Sequence, residues 1–145
     1  MTDFANLKVL EVKAERTAAF TIYQIEGEPV LHMAPATEAN KPYFNALLKR
    51  SKRNQRRINS GNFTSGMIKE NRDNDRELYP QFVVRGWDRV VDAKGEAVKP
   101  TQENVVDYLK ALPDWLFDEA RAFATDPQNY VGDIVDAEDL SGNSQ

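Results

Sequence analysis

The order of apolar and polar positions predicts short strands near the N-terminus and helices over most of the remaining chain. Runs rich in β-branched and aromatic residues cover 7–12 and 18–25, and a third short apolar run covers 30–33. Such runs are typical of half-buried strands. The Glu-Gly-Glu-Pro sequence at 26–29 is a turn signal between the last two runs. These residues together predict a small antiparallel sheet.

The first predicted helix begins after Asn40 and extends to about Ile58. Asn40 can cap free backbone amides, and Pro42 fits the first turn because no N–H is needed there. Apolar positions occur only in the first half, since residues 49–57 contain no apolar side chain. A helical segment that is polar on every side is exposed, bound to a ligand, or frayed in the free protein.

A second helix is predicted from the Thr-Ser pair at 64–65 to Trp87, and Pro80 should kink or divide it. Residues 89–98 then have the pattern of two short strands around a turn, in which Gly95 supplies a positive φ. The middle of the second helix is strongly polar, so only its ends can face a core.

Two further helices are predicted in the C-terminal third. Thr101 is the expected N-cap of the third helix, which ends at Pro113. The fourth covers residues 114–125. Because Trp115 and Phe117 cannot share one narrow helical face, one of them is expected to be partly exposed. The predicted apolar stripe of the fourth helix consists of Trp115, Leu116, Ala120 and Phe123.

These elements predict an α+β fold, with a small N-terminal antiparallel β-sheet followed by a mainly helical body that carries a short β-hairpin. A length of 145 residues suits one domain, expected over residues 1–132. Residues 133–145 are acidic and small, and they predict a flexible acidic C-terminal tail.

The composition argues against catalysis and metal binding. The chain has no cysteine and one histidine, which excludes thiolate chemistry, disulfides and His-rich metal centres. His32 is expected to be a core or edge-strand residue. No nucleophile elbow, phosphate-binding loop, dinucleotide motif or EF-hand loop occurs. We therefore expect no catalytic residue, no cofactor and no metal, and predict that the protein is not an enzyme.

The sequence also predicts a cytosolic protein without a membrane partner. No run approaches the roughly 20 apolar residues that a membrane-spanning helix needs. The first residues lack the basic start and apolar core of a signal peptide.

Charge is strongly segregated along the chain, although the net charge is only −4. Residues 41–57 carry seven basic residues and no acidic one, whereas residues 101–145 carry ten acidic and two basic residues. The basic segment could be a solvated helix face, bind phosphates, or dock on an acidic protein surface, including another copy in a homo-oligomer. The net negative charge of the chain disfavours binding to nucleic acid, so a protein partner is favoured.

Short motifs follow one another in a definite order between residues 34 and 130. In order they are Ala36-x-x-x-Asn40-x-x-Tyr43-x-x-x-Leu47, the Arg/Lys run, Val84-x-Gly86-Trp87-Asp88, Asp92-x-x-Gly95-Glu-x-Val98, Thr101-x-Glu103-Asn104 and Leu112-Pro113-Asp114. This order resembles the tail assembly chaperone family of long-tailed, siphovirus-like bacteriophages. The Gly-Trp pair, the turn at Gly95 and the capped helix after it are the most specific part.

The resemblance implies a non-enzymatic chaperone that binds the phage tape measure protein, keeps it soluble during tail assembly and helps to recruit the tail tube protein. Its location would be the cytoplasm of the infected bacterial host. We expect an apolar patch for the client and complementary charge for a neighbouring copy. The basic segment would contact Asp118 and Glu119 of that neighbour. The residues of this protein-interaction hypothesis are Phe44, Leu48, Arg50, Arg53, Arg56, Arg57, Trp115, Leu116 and Phe117.

Two other functions fit the same residues. The chain could be a virion structural accessory protein of the phage tail or head, which would remain in the particle. It could also be a small host-directed phage binding factor that acts through the basic helix.

Overall fold

A computed structural model describes residues 7–59 and 65–131, apart from the side chains at 8, 9, 51–59 and 65. Its sheet has three antiparallel strands in the order β1-β2-β3, so that β1 and β3 form the two edges. The strands are β1 (Ala18–Thr21), β2 (Val30–Met33) and β3 (Val84–Asp88). The predicted α+β fold is confirmed.

Four α-helices supply the rest of the body. They are α1 (Lys41–Asn59), α2 (Ser65–Phe82), α3 (Gln102–Ala111) and α4 (Asp114–Thr125). Short 3-10 helices lie at Leu7–Leu10 and Pro127–Asn129. The predicted tail lies outside the described residues.

The core lies between one face of the sheet and the four helices, with α1 contributing Tyr43. Its central side chains are almost fully buried: Ile22, Leu31, Met33, Tyr79, Val83, Leu109 and Phe117. Because the core buries one face of α2 and one face of α4, it also determines which side chains of those helices reach the surface.

The strand predicted at 7–12 is wrong. Leu7–Leu10 forms a 3-10 helix, and Val12 makes only an isolated antiparallel bridge with Val131. The N–H of Lys13 donates to the carbonyl of Tyr130 at 2.9 Å. The segment therefore pairs with the end of the described chain and adds no strand to the sheet.

The second predicted helix is also wrong in its last residues, because α2 ends at Phe82 and β3 begins at Val84. Pro80 lies inside α2, and its missing N–H weakens the last turn. Trp87 then pairs with Leu31 of β2. The ladder with β2 satisfies backbone groups that a continuing helix would have satisfied internally.

The turn of the hairpin predicted at 89–98 is confirmed, and in place of the two predicted short strands Val91 and Ala97 form one isolated bridge. Gly95 has the expected positive φ of +81°. The Asp92 carboxylate accepts the N–H groups of Lys94 (2.8 Å) and Glu96 (3.0 Å). The hairpin is tied to the sheet because the Trp87 indole donates to the Val98 carbonyl at 2.7 Å.

Helices α3 and α4 agree with their predicted limits. The Thr101 hydroxyl accepts the N–H of Asn104 at 3.2 Å, which caps α3 as expected. Pro113 separates the two helices and precedes Asp114, the first residue of α4.

Candidate protein-interaction surface

Asn40 fixes the start of α1 beside the end of α2. Its side-chain oxygen accepts the N–H of Tyr43 at 3.4 Å, which confirms the predicted cap. Its amide group donates to the carbonyls of Pro35 (3.0 Å) and Phe82 (2.9 Å). The direction in which α1 leaves the core is therefore set by a buried side chain.

The interaction residues predicted on α1 differ in exposure. Phe44 is half-buried, whereas Leu48 is 49% exposed. Arg50 forms an ion pair with Glu77 of α2, so part of the basic segment is already paired within the chain. The side chains of Arg53, Arg56 and Arg57 lie outside the described residues.

The predicted apolar patch on α4 is wrong for two of its three residues. Leu116 and Phe117 are 2% and 0% exposed and belong to the core. The Phe117 ring packs edge-on against Tyr79 at 5.5 Å. Trp115 is 56% exposed, because successive residues of a helix point about 100° apart. The expectation that either Trp115 or Phe117 would be exposed is confirmed.

A cluster of paired charges joins α2 to α4. The Arg72 guanidinium donates two hydrogen bonds to the Asp118 carboxylate, both at 2.9 Å. Arg76 reaches Asp114 at 2.9 Å. Arg121 pairs with Asp75 at 2.8 Å and with Asp118 at 3.1 Å. We call Arg72, Asp75, Arg76, Asp114, Asp118 and Arg121 the Arg–Asp cluster.

The electrostatics of this cluster are those of a structural network. Hydrogen bonds from Arg72, and then from Arg121, hold the pKa of Asp118 below its ordinary value. The Tyr43 hydroxyl donates to Asp75 at 2.8 Å, and burial, reinforced by that carboxylate, raises the pKa of Tyr43. Burial likewise raises the pKa of Tyr79. Both directions favour the protonation states that phenols and carboxylates already have near neutral pH, and none of these three groups is shifted toward a catalytic pKa.

The cluster already pairs one of the two acidic residues that the basic segment of a neighbouring copy is expected to contact, and that contact stays a prediction. Asp118 is held by two arginines of its own chain. Glu119 accepts a hydrogen bond from Gln24 at 3.0 Å but remains exposed. Sequence reasoning missed the cluster, although Arg72 and Arg76 on α2 and Asp114 and Asp118 on α4 share the i, i+4 spacing that places side chains on one helical face.

The described residues contain no group of three or more His, Asp or Glu side chains placed to hold a metal ion. No helix within 7–59 or 65–131 is both long and apolar enough to cross a membrane. His32 lies half-exposed on the central strand β2, with Nε2 2.8 Å from the Asp88 carboxylate of β3, so the expectation of a core or edge-strand histidine is wrong.

Large exposed apolar side chains remain on three helices: Leu48 on α1, Ile68 on α2 and Trp115 on α4. An exposed tryptophan is costly in solvent and is enriched at protein interfaces. The carboxylates of Asp114 and Asp118, on either side of Trp115 in the helix, are held by Arg76 and Arg72. The arrangement is suited to binding a protein.

Comparison with known proteins identifies a phage-related family. The family model described as YdaY prophage protein matches residues 38–143, which include all four helices, β3 and the hairpin. Searches of curated proteins and of solved structures gave no match.

Proposed function

Because the chain belongs to the YdaY prophage protein family, we propose that it is a non-enzymatic tail assembly chaperone of a bacteriophage. It binds the tape measure protein and keeps it soluble until the tail tube protein assembles around it. It acts in the cytoplasm of the infected bacterium. The family supports the phage context, and the motif order over residues 34–130 supports the role in tail assembly.

The observation that carries the binding role is the exposure of Trp115 at the start of α4. A large aromatic side chain contributes most to binding when its surroundings are already rigid, because little conformational entropy is then lost. Trp115 meets that condition: α4 is anchored by Leu116 and Phe117 in the core and by ion pairs to α2. An apolar client would bury the indole.

The test is a pull-down of overlapping tape measure fragments from the same prophage, using the full chain and its Trp115→Ala variant. We expect the variant to bind at least tenfold more weakly, since truncating a central aromatic side chain at an interface costs about 2 kcal/mol or more. Leu48→Ala should have a smaller effect because its side chain buries less area.

Val91→Ala is the matched control, because Val91 is 55% exposed and lies on the hairpin rather than on a helix. It should bind like the unmodified chain. Equal binding by the Trp115→Ala variant would contradict this assignment of the surface. Stoichiometric recovery of the chain in purified mature particles would instead favour a virion accessory protein, because a chaperone is released before the particle is complete.

A further inference from the structure

Strand β1 has one edge without a neighbouring strand in the described part of the chain. It is the first strand in the sheet order, and it pairs only with β2. An unpaired edge presents backbone N–H and C=O groups that can bind another extended segment.

The register of the sheet identifies which groups face outward. The N–H of Ile22 donates to the Pro29 carbonyl across the sheet at 2.8 Å. Inward and outward groups alternate along an antiparallel strand. The N–H and C=O groups of Phe20 therefore face β2, whereas those of Ala19 and Thr21 face the open edge.

A cavity of about 350 Å³ lies at this edge. Its lining includes Phe20, whose ring lies 5.3 Å from Phe123 of α4, and also Ala19 and Thr21, which point to the opposite face. Because Tyr23 and Gln24, which follow β1, complete the lining on this side, the cavity lies at the C-terminal end of the open edge. The wall opposite β1 is formed by Phe123 and Glu119 of α4.

The side chains that line this cavity indicate which kind of segment it binds. Phe20 and Phe123 offer an apolar wall, and the exposed Glu119 carboxylate adds a negative charge beside it. Pairing with the same edge of a second copy would bring two Glu119 carboxylates to one interface, which is unfavourable. A strand with a basic side chain places opposite charges there.

We propose that the open edge of β1 binds an extended segment of a partner protein by strand addition. The segment hydrogen-bonds to the backbone of Ala19 and Thr21, places an apolar side chain against Phe20 and Phe123, and places a Lys or Arg against Glu119. The apolar and basic residues of the partner lie two positions apart, since alternate residues of a strand share a face. This site is independent of the proposed tape measure client.

The probe is the synthetic peptide acetyl-Ser-Thr-Val-Thr-Lys-Thr-Ser-amide, titrated into the full-length 15N-labelled chain. We expect the amide resonances of Ala19 and Thr21 to shift and their hydrogen exchange to slow, while β3 amides remain unchanged. Replacing the peptide lysine by glutamate should weaken binding several-fold, and N-methylation of alternate peptide residues should abolish it.

Ala19→Pro removes the outward N–H of that residue and leaves the pairing with β2, a position at which an edge strand tolerates proline. It should weaken binding about tenfold, equivalent to about 1.4 kcal/mol, whereas Ala19→Ser, the matched control that keeps the N–H, should not. If Ala19→Pro fails to fold, binding of the N-methylated peptide tests whether backbone hydrogen bonds to this edge are required.

Three results would overturn the proposal. The first is the absence of shifts at Ala19 and Thr21 at millimolar peptide. The second is equal binding of the lysine and glutamate peptides. The third is concentration-dependent protection of both amides without peptide, which would assign the edge to a second copy.

Discussion

Arg76 connects three elements through one side chain. Its guanidinium donates to the carbonyls of Leu109 (3.0 Å) and Leu112 (2.8 Å) and to Asp114 (2.9 Å). It also lies 5.0 Å from the centre of the Phe117 ring, within range of a cation–π interaction. The end of α3 and the start of α4 are therefore held on α2 by a nearly buried cation.

We expect Arg76→Ala to lower the free energy of unfolding by about 3 kcal/mol, because it removes these bonds and leaves buried acceptors unpaired. Urea unfolding followed by circular dichroism measures the change. Lys110→Ala, at an exposed position of α3, should stay within about 0.5 kcal/mol of the unmodified chain. A loss below about 1 kcal/mol for Arg76→Ala would mean that the contacts of Arg76 are dispensable.

Asp118 gives the stability a predictable pH dependence. Because Arg72 and Arg121 hold its folded-state pKa below the ordinary value of 3.8, the unfolded chain takes up a proton first on acidification. The contribution of Asp118 is present above pH 3.8 and is lost as the pH falls through the lower folded-state pKa. Asp118→Asn should therefore be less stable at pH 7 and lose less stability between pH 5 and pH 3.

Urea unfolding at several pH values measures this dependence. Asp107→Asn, at an exposed position on α3, is the control and should retain the slope of the unmodified chain. An unchanged slope for Asp118→Asn would show that its ion pairs do not contribute to stability in solution.

At the candidate site, sequence patterns predicted some features of individual residues and missed others. Helical geometry was sufficient to predict that Trp115 and Phe117 lie on different faces. It could not decide which of them enters the core, because that depends on the position of Tyr79, which packs against Phe117 from 38 positions earlier in the chain. The Arg–Asp cluster was missed for the same reason: pairs between α2 and α4 depend on how the helices pack.

At the scale of elements, local signals predicted the turns and caps well. Gly95 and Asp92 specify the hairpin turn through a positive φ and side-chain acceptance of two N–H groups. Local signals did not predict strand β3, because its structure depends on pairing with a strand that is distant in the sequence. The second predicted helix extends through Trp87, but the pairing of residues 84–88 with β2 makes them a strand.

A substitution in the hairpin tests whether its local signals, and above all the positive φ of Gly95, stabilise the protein. We expect Gly95→Ala to lower the free energy of unfolding by about 1 kcal/mol, because its φ of +81° is unfavourable for a residue with a Cβ atom. Gly86→Ala is the matched control, since a Cβ atom there meets nothing within 4 Å and the backbone is not left-handed. Thermal unfolding of the two variants distinguishes the effect of backbone strain at Gly95 from the effect of an added Cβ atom.

Equal thermal midpoints for these two glycine variants would contradict the role of the positive φ.

At the scale of the whole molecule, part of the charge segregation is satisfied internally. Two of the acidic residues after position 100, Asp114 and Asp118, are paired with arginines of α2, and Arg50 of the basic segment is paired with Glu77. The remaining surface combines exposed apolar side chains on helices with an open strand edge. Both features favour contacts with other proteins.

The proposed function makes a prediction for the complete chain that no single substitution tests. A chaperone binds its client in a form that would otherwise aggregate, because the apolar surface of the client is removed from water. Co-expression with tape measure fragments that precipitate alone should therefore yield a soluble complex.

The most direct test is size-exclusion chromatography with light scattering of the chain co-expressed with such a fragment. We predict one soluble species whose mass corresponds to a stoichiometric complex, and a smaller yield of that species with Trp115→Ala. Precipitation of every fragment, with the chain eluting alone, would contradict the chaperone function.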